Sequence, residues 1–400
     1  MDRLTADPLT LPEGAPRFVP RGQEHLGGSS ETSARGFGDA VAARSRLTKN
    51  LAALHWLQVA QSTGGVDAHM QEQIARWSGW GALPHVFDER NTEHAEDRAY
   101  LREILTPALY AAASRSTINA HFTDAAIATQ MWDALQGLGF TGGEVLEPGS
   151  GSGNFIGLIP EDLRSDTHIT GVEVDAVTAN ISRALYPDAT VRTESFAETP
   201  FASGTFDAVI GNVPFGQVRL HDPRHNPDNL PIHDHFILKA VDLVRPGGTV
   251  AVLTSRYTLD KADSRAREGI YAQADLLGAV RLPAGAHRRA AGTDVVTDVL
   301  LFRRRLEDET PGDDTWLRTV PVEGQVHTNA YFEQHPEHVL GTVTVRRHRR
   351  TPRAAQRSVR HLRAALRAPQ PGHPPPHRPG RQEHRAGHPR PRPAPLHRPV

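Results

Sequence analysis

The chain has 400 residues, with 45 lysines and arginines against 46 aspartates and glutamates and a formal net charge of −1. It contains no cysteine, which excludes disulfides and thiolate metal sites and suits a reducing cytoplasm. No apolar run reaches the roughly 18 residues that a membrane span requires, and no signal-peptide core opens the sequence, so two or three domains with no membrane partner are expected.

Residues 1–40 are rich in Pro, Gly and Ser without periodicity and read as a flexible leader. Residues 41–115 read as a small helical region. Leu47, Leu51, Leu54 and Leu57 follow helical spacing, as do Met70, Ile74 and Trp77 after the Gly64-Gly65 break. The run from Arg76 to Pro84, with Trp77-Ser78-Gly79-Trp80-Gly81 at its centre, reads as a turn packed under these helices, or as a contact for protein or DNA. Residues 93–115 are expected to form one helix with Tyr100, Leu101, Ile104 and Leu105 on a common side.

A domain with strand–helix alternation is expected over residues 116–305. Ala120-His121-Phe122-Thr123 precedes a helix bearing Ile127, Met131, Trp132 and Leu135, for which Thr123 is a candidate N-cap. Strands are expected at Val145–Glu147, Ile169–Val174, Thr190–Arg192, Phe206–Ile210 and Thr249–Thr254. Helices are expected from the second strand's end through Leu185 and over His233–Val244, with a Gly247-Gly248 turn ahead of the fifth strand. Leu276–Leu282 and Val295–Phe302 form a closing antiparallel pair. Such alternation implies an α/β fold with a doubly wound, mostly parallel sheet.

The richest stretch runs from Glu144 to Gly216. A short apolar strand enters Glu147-Pro148-Gly149-Ser150-Gly151-Ser152-Gly153-Asn154-Phe155, and an acid, Glu173, ends the next strand before Val174. Glycines admit a ligand where a Cβ would collide, and a carboxylate can accept hydrogen bonds from both ribose hydroxyls. A phosphate-binding loop would need Gly-Lys-Ser/Thr, and no lysine is present; the G-x-G-x-x-G dinucleotide turn also fails at Asn154 and Ile156. The pattern resembles the first motif of S-adenosylmethionine-dependent methyltransferases, whose sulfonium cofactor carries no phosphate. Gly211-Asn212-Val213-Pro214-Phe215-Gly216 resembles the Asn-Pro-Pro-aromatic signature of amino-methylating DNA methyltransferases. In that chemistry the Asn212 amide oxygen and the Val213 carbonyl accept the hydrogens of an exocyclic amine. Phe215 stacks on a base drawn out of the duplex, a contact of roughly 1–3 kcal/mol. Val213 replaces the usual first proline, at a position that acts through its carbonyl.

Over residues 45–345 the chain is similar to the adenine-N6 DNA methyltransferase region of large helicase–methyltransferase fusion proteins of mobile elements and anti-restriction systems. Trp77-Ser78-Gly79-Trp80-Gly81, Asn119-Ala120-His121-Phe122-Thr123, Leu146–Phe155, Gly211–Gly216, Ile232-His233-Asp234-His235-Phe236 and Ala291-Gly292-Thr293-Asp294-Val295-Val296-Thr297-Asp298 carry the resemblance. It implies a seven-stranded sheet of the S-adenosylmethionine-dependent methyltransferase type preceded by a small helical region. S-adenosyl-L-methionine is the implied cofactor and DNA the implied substrate, with a helicase region or subunit encoded downstream as a further partner. The implied catalytic residues are Asn212, Val213, Pro214 and Phe215. The implied cofactor set is Phe122 and Thr123 along the methionine end, Glu147, Pro148, Gly149, Gly151, Gly153 and Phe155 in the glycine motif, and Glu173 and Val174 at the ribose. Glu194 or Phe196, after the third strand, is the candidate partner of the cofactor's adenine. Cytosine-N4 or protein-glutamine methylation, and a non-catalytic remnant of the fusion protein, are the alternatives.

Gln217–Pro231 is a polar, proline-broken loop with His221 and His225, and His233 and His235 follow it. No spacing matches a recurrent zinc pattern and methyl transfer needs no metal, so the loop reads as a mobile lid over a flipped base. Residues 306–345 read as a linker or the start of a following region. Residues 346–400 hold fifteen arginines and one glutamate, a net of +14, leaving −1 − 14 = −15 for residues 1–345. The tail reads either as a disordered basic arm that grips DNA or as the product of a frameshift near Val345, where the resemblance also stops.

Overall fold

The computed structural model describes residues 3–20, 37–81, 83–116, 123–284, 286, 295–323 and 326–341. Phe122, the Ala291–Asp294 stretch and the arginine-rich tail lie outside the described residues.

Seven strands form one sheet in the order β3-β2-β1-β4-β5-β7-β6: β1 Gly143–Pro148, β2 Thr167–Glu173, β3 Thr190–Thr193, β4 Phe206–Asn212, β5 Val244–Ser255, β6 Ala274–Arg281 and β7 Thr297–Arg304. The first five are parallel, and β7 runs antiparallel to both β5 and β6. The chain leaves the middle of the sheet in opposite directions, toward β2 and toward β4, so the carboxyl ends of β1, β2 and β4 open one crevice.

Strand side chains alternate between two cores, as pleating requires. Val145, Ala208, Ile210, Ala251, Leu253, Val299 and Leu301 face one core, while Leu146, Val209, Val250, Val252, Leu300 and Phe302 face the other. The first layer holds α1 (Phe37–Thr63), α2 (Ala68–Ile74), α5 (Ala125–Gly137) and α7 (Ala176–Leu185); α8 (Ile232–Leu243) and the helix Arg265–Tyr271 cover the second face. Leu54, Trp77 and Leu101 share a continuous apolar cluster with Val145 and Ile169. The helical region and the sheet therefore share one core. Trp77 and Trp80 are buried edge to face at 5.2 Å, and the Asn50 side chain ties the turn between them by accepting from the Ser78 backbone and donating to the Gly79 carbonyl.

Several expectations are corrected. Residues 3–20 are packed and not a flexible leader: Leu4, Leu9 and Phe18 are buried, Leu4 N–H donates to Ile104, and Phe18 N–H donates to Leu185. Three apolar residues at wide spacing suffice to seat an extended strap, a pattern with no local period. The expected helix over 93–115 is two helices, α3 (Ala95–Ile104) and α4 (Pro107–Ser116). Pro107 pushes the residue before it out of the helical region, and Leu105 is extended and bridges Leu4. Tyr100 is exposed while Leu101, Ile104 and Leu105 are buried. Residues 306–341 are no linker in their described part. A hairpin of β8 (Thr319–Glu323) and β9 (Val326–Asn329), followed by a short helix Ala330–Gln334, buries Trp316, Tyr331 and Phe332 against the second core. Finally, β5 starts at Val244, and the Gly247-Gly248 turn is a bulge within it, because Phe206 pairs with Val244 and Ala208 with Thr249.

Candidate active site

The turn after β1 is shaped by three glycines in the left-handed region: Gly149 at φ 69°, Gly151 at 55° and Gly153 at 85°. A Cβ at Gly153 would also lie within 2.7 Å of Ser182 Oγ and 2.9 Å of the Tyr186 ring, so that position excludes side chains on both counts. The turn is fixed from behind. Ser150 N–H donates to the Val172 carbonyl at 2.9 Å, and Asn154, which opens α6 (Asn154–Gly157), donates to the Thr123 carbonyl at 3.1 Å.

Two carboxylates hold this turn. Glu173 accepts from Gly151 N–H at 2.9 Å through Oε2 and from Asp175 N–H at 2.8 Å through Oε1. Burial pushes its pKa up to about 7 against the pull of those backbone donors. Glu147 is buried at the end of β1 and its carboxyl is raised well above the usual range by burial, against hydrogen bonds from Ile156 and Phe155 N–H. Next to Glu173, Val174 is 73% exposed, an apolar side chain standing in solvent at the crevice mouth.

The amine-type motif meets the glycine turn directly. β1 and β4 are paired, with Leu146 opposite Val209, so their ends lie side by side. A Cβ at Gly149 would stand 3.5 Å from Pro214 Cδ, 3.8 Å from Phe236 Cε1 and 3.9 Å from the Asn212 carbonyl oxygen. Val213 is buried and its N–H donates to the Leu253 carbonyl at 3.0 Å, which extends the β4–β5 pairing through the motif. The structure thus brings together Glu147, Pro148, Gly149, Gly151, Gly153, Glu173, Val174, Asn212, Val213 and Pro214, with Phe215 following and Thr123 beside Asn154.

Three expected site residues are placed otherwise. Phe155 is buried, with its carbonyl accepting from Trp132 Nε1 at 3.0 Å; its side chain belongs to the core and its N–H to Glu147. Phe196 is also buried, with Phe236 at 4.7 Å and Lys239 Nζ at 5.0 Å from its ring centre. Glu194 is ion-paired with Arg192. Sequence reasoning missed Asn154 as the link to Thr123, although its place at the helix start was visible. It also missed Arg17, whose guanidinium stacks over Tyr186 and donates to the Ile156 carbonyl behind the glycine turn; nothing local in the sequence marks it.

The loop after Phe215 is not a mobile lid. Asp222 is buried and receives His235 Nε2 at 3.0 Å, Lys239 Nζ at 3.2 Å and His225 Nδ1 at 3.2 Å. Burial pushes its carboxyl up, but the hydrogen bond from His235, that from the His225 backbone and the Lys239 charge outweigh this and hold it far below the ordinary carboxylate range. Asn226 donates to the Leu220 and Leu230 carbonyls and accepts from Leu230 N–H at 2.7 Å. His225 and His235 are therefore held by carboxylates and His233 stands at the helix start, while His221 is exposed. Among the described residues, the one histidine–carboxylate cluster able to gather three metal ligands is elsewhere, at His335, Glu337 and His338.

A family model described as a methyltransferase domain matches residues 146–252. A curated relative, the Defense against restriction protein B of Escherichia phage P1, is 30% identical over 196 residues, 47% of this chain and 8% of that protein. The chain thus spans less than a tenth of the relative's length. Among solved structures, a type I restriction-modification methyltransferase subunit from Streptococcus thermophilus overlaps 77% of this chain and 89% of its own at 12% identity and a TM-score of 0.41. A Listeria monocytogenes protein assigned to the class I S-adenosylmethionine-dependent methyltransferases overlaps 68% and 91% at 14% identity and a TM-score of 0.45.

Proposed function

We propose that the chain methylates the exocyclic N6 amine of adenine in DNA. The starting point is its methyltransferase domain, with a sheet of the S-adenosylmethionine-dependent type and S-adenosylmethionine as cofactor. The observation that carries the reading is the meeting of Gly149 with Asn212 and Pro214 at the carboxyl ends of paired strands. A cofactor seated on the glycine turn then presents its methyl beside groups that hold an amine.

The residues fit that cofactor. Glu173 retains acceptor capacity for the ribose hydroxyls, because a carboxylate offers about four acceptor sites and the backbone N–H groups of Gly151, Val174 and Asp175 take at most three of them. Val174 offers the adenine an exposed apolar surface. Gly149, Gly151 and Gly153 let the backbone approach, Glu147 and Pro148 shape the strand exit, and Thr123 closes the methionine end. When bound, the cofactor supplies an electrophilic methyl on a positively charged sulfur. The chain's own part is positioning: Asn212 and the Val213 carbonyl hold the amine hydrogens, Pro214 stiffens the turn and Phe215 stacks on the base. Phe155 and Phe196 act from the core, as supports of Glu147 and Phe236.

The Asn-x-Pro-aromatic motif supports DNA as substrate and the name of the phage relative an anti-restriction context, while a helicase region as partner rests on the sequence resemblance alone. The net of −15 over residues 1–345 fits a body that relies on another segment or subunit for much of its grip on phosphate. The test is labelled methyl transfer to mixed-sequence duplex DNA followed by nucleoside mass spectrometry, beside Asn212→Ala. N6-methyladenine that falls by about 10²-fold or more in the variant is the expected result. N4-methylcytosine would change the base but keep the site, and methyl on a glutamine-bearing peptide alone would overturn DNA as the substrate.

A further inference from the structure

Past the β8–β9 hairpin the chain returns to the edge of the large sheet through a side-chain cluster that has no part in the chemistry above. His335 and Pro336 open one turn of 3₁₀ helix, Pro336–His338. Such a turn repeats every three residues, so side chains at i and i+3 stand over each other. His335 and His338 accordingly stack, with ring centres 5.2 Å apart and planes 14° from parallel. Glu337 reaches both rings: its Oε1 lies 3.4 Å from His335 Nδ1 and 3.8 Å from His338 Nε2. One ligand atom from each of the three residues falls within 4.8 Å of the other two.

Two features favour an ion over simple ring packing. The first is spacing. A zinc-type ion bonded at about 2.0–2.2 Å spreads tetrahedral ligands roughly 3.4 Å apart, and both edges that run to Glu337 match this to within about 0.4 Å. The half-buried His335 has room to turn and close the third edge. The second is the support behind His338. Its ring is buried, and Nδ1 lies 2.8 Å from the hydroxyl of the buried Tyr331. Metal-bound histidines hold their second nitrogen in this way, which fixes the tautomer and the ring direction. With the Nδ1 proton given to that hydroxyl oxygen, the lone pair lies on Nε2, the atom on the Glu337 side. The Ala279 carbonyl is the competing partner for this ring.

We propose that His335 Nδ1, Glu337 Oε1 and His338 Nε2 bind a divalent metal ion of the zinc class, with solvent at the fourth position. The ion would act as a clamp. Immediately after His338, Val339 bridges Arg281 of β6 and Leu340 N–H donates to the Arg281 carbonyl at 2.9 Å. Just before the cluster, Phe332 packs under the Arg281 guanidinium at 4.2 Å. Ligands drawn together between these two anchors hold the returning segment against the sheet edge, and binding free energy there is folding free energy.

The test uses the full chain stripped with a chelator, titrated with Zn²⁺ by calorimetry and with Co²⁺ by visible absorption, which is strong for a four-coordinate ion. The chain has 22 histidines, so variants decide, and not binding alone. Wild type should take up one four-coordinate Co²⁺ per chain, and Zn²⁺ should raise its Tm. Both effects should vanish in Glu337→Ala, whose side chain is 63% exposed and whose removal leaves the packed rings in place. Tyr331→Phe keeps the ring and loses the hydroxyl, and should bind Zn²⁺ roughly 10–100-fold more weakly. A Co²⁺ spectrum and Zn²⁺ affinity unchanged in Glu337→Ala overturn the inference and mark an adventitious ion only. Absence of binding by wild type overturns it as well and leaves a cluster of rings packed on Tyr331. Methyl transfer enters neither readout, so this inference stands or falls separately from the amino-methylation reading.

Discussion

Two carboxylates, the half-buried Glu173 and the buried Asp222, show opposite solutions to one problem. Among the described residues Glu173 is held by backbone N–H groups, and it is pushed up to about 7. Asp222, in the loop after the amine motif, is ringed by His235, Lys239 and His225 and held far below the ordinary range. Burial raises both; what differs is whether the protein supplies positive partners. Asp222 is saturated and serves as a pin that fastens the loop to α8. Glu173 keeps acceptor capacity and a pKa near neutrality, which suits the cofactor contact proposed for it.

The sharpest way to break this contrast is to remove each acid in turn. Asp222→Ala leaves Lys239 buried without its counter-charge and should cost about 3–5 kcal/mol of stability, read from urea unfolding. Its folded fraction should bind cofactor nearly normally. Glu173→Ala should do the reverse, weakening cofactor binding by about 1.5–3 kcal/mol, roughly ten- to hundredfold in Kd, with a small change in melting. If either variant shows the other's phenotype, the assignment of pin and ligand is wrong.

The pH dependence follows with a definite sign. Glu173 has a folded pKa above its ordinary value, so between that ordinary value and about 7 the folded apoprotein binds a proton that the unfolded chain does not. Apoprotein stability should therefore decline as pH rises through this window. Cofactor binding to the ionised carboxylate should strengthen over the same rise, by at most about tenfold per pH unit, and level off above pH 8. Calorimetry in two buffers of different ionisation enthalpy should show proton release on binding near pH 7. Asp222 has the opposite sign: its contribution is full above the ordinary carboxylate range and lost only as pH falls into strong acid.

The smallest expected effect concerns the strap. Arg17→Ala removes the cation over Tyr186 and the hydrogen bond to the Ile156 carbonyl. It should lower stability by about 1 kcal/mol and raise cofactor Kd a few-fold by loosening the glycine turn. A larger loss of binding than of stability would make the strap part of the site.

Much of the candidate site's layout was legible in one dimension because its constraints are local. Three glycines that need left-handed φ, an acid at a strand end and an Asn-x-Pro-aromatic exit are short-range demands of a tight turn and a ligand, and they survive as spacing. The parallel sheet and its antiparallel closing pair were also legible, since each buried strand must be an apolar run of fixed length between turns. Other features depended on residues far apart in the chain. Whether residues 3–20 float or pack was decided by Leu185, Asn180 and Ile104, none of them near in sequence. Phe196 and Glu194 stood as equal candidates until Phe236 and Lys239 were seen to enclose the first and Arg192 to pair with the second. The loop 217–231 looked mobile because it is polar and broken by proline. Its fixity comes from buried charge pairing with α8, and a charged side chain's partner, hence its pKa, is set only when the chain has folded.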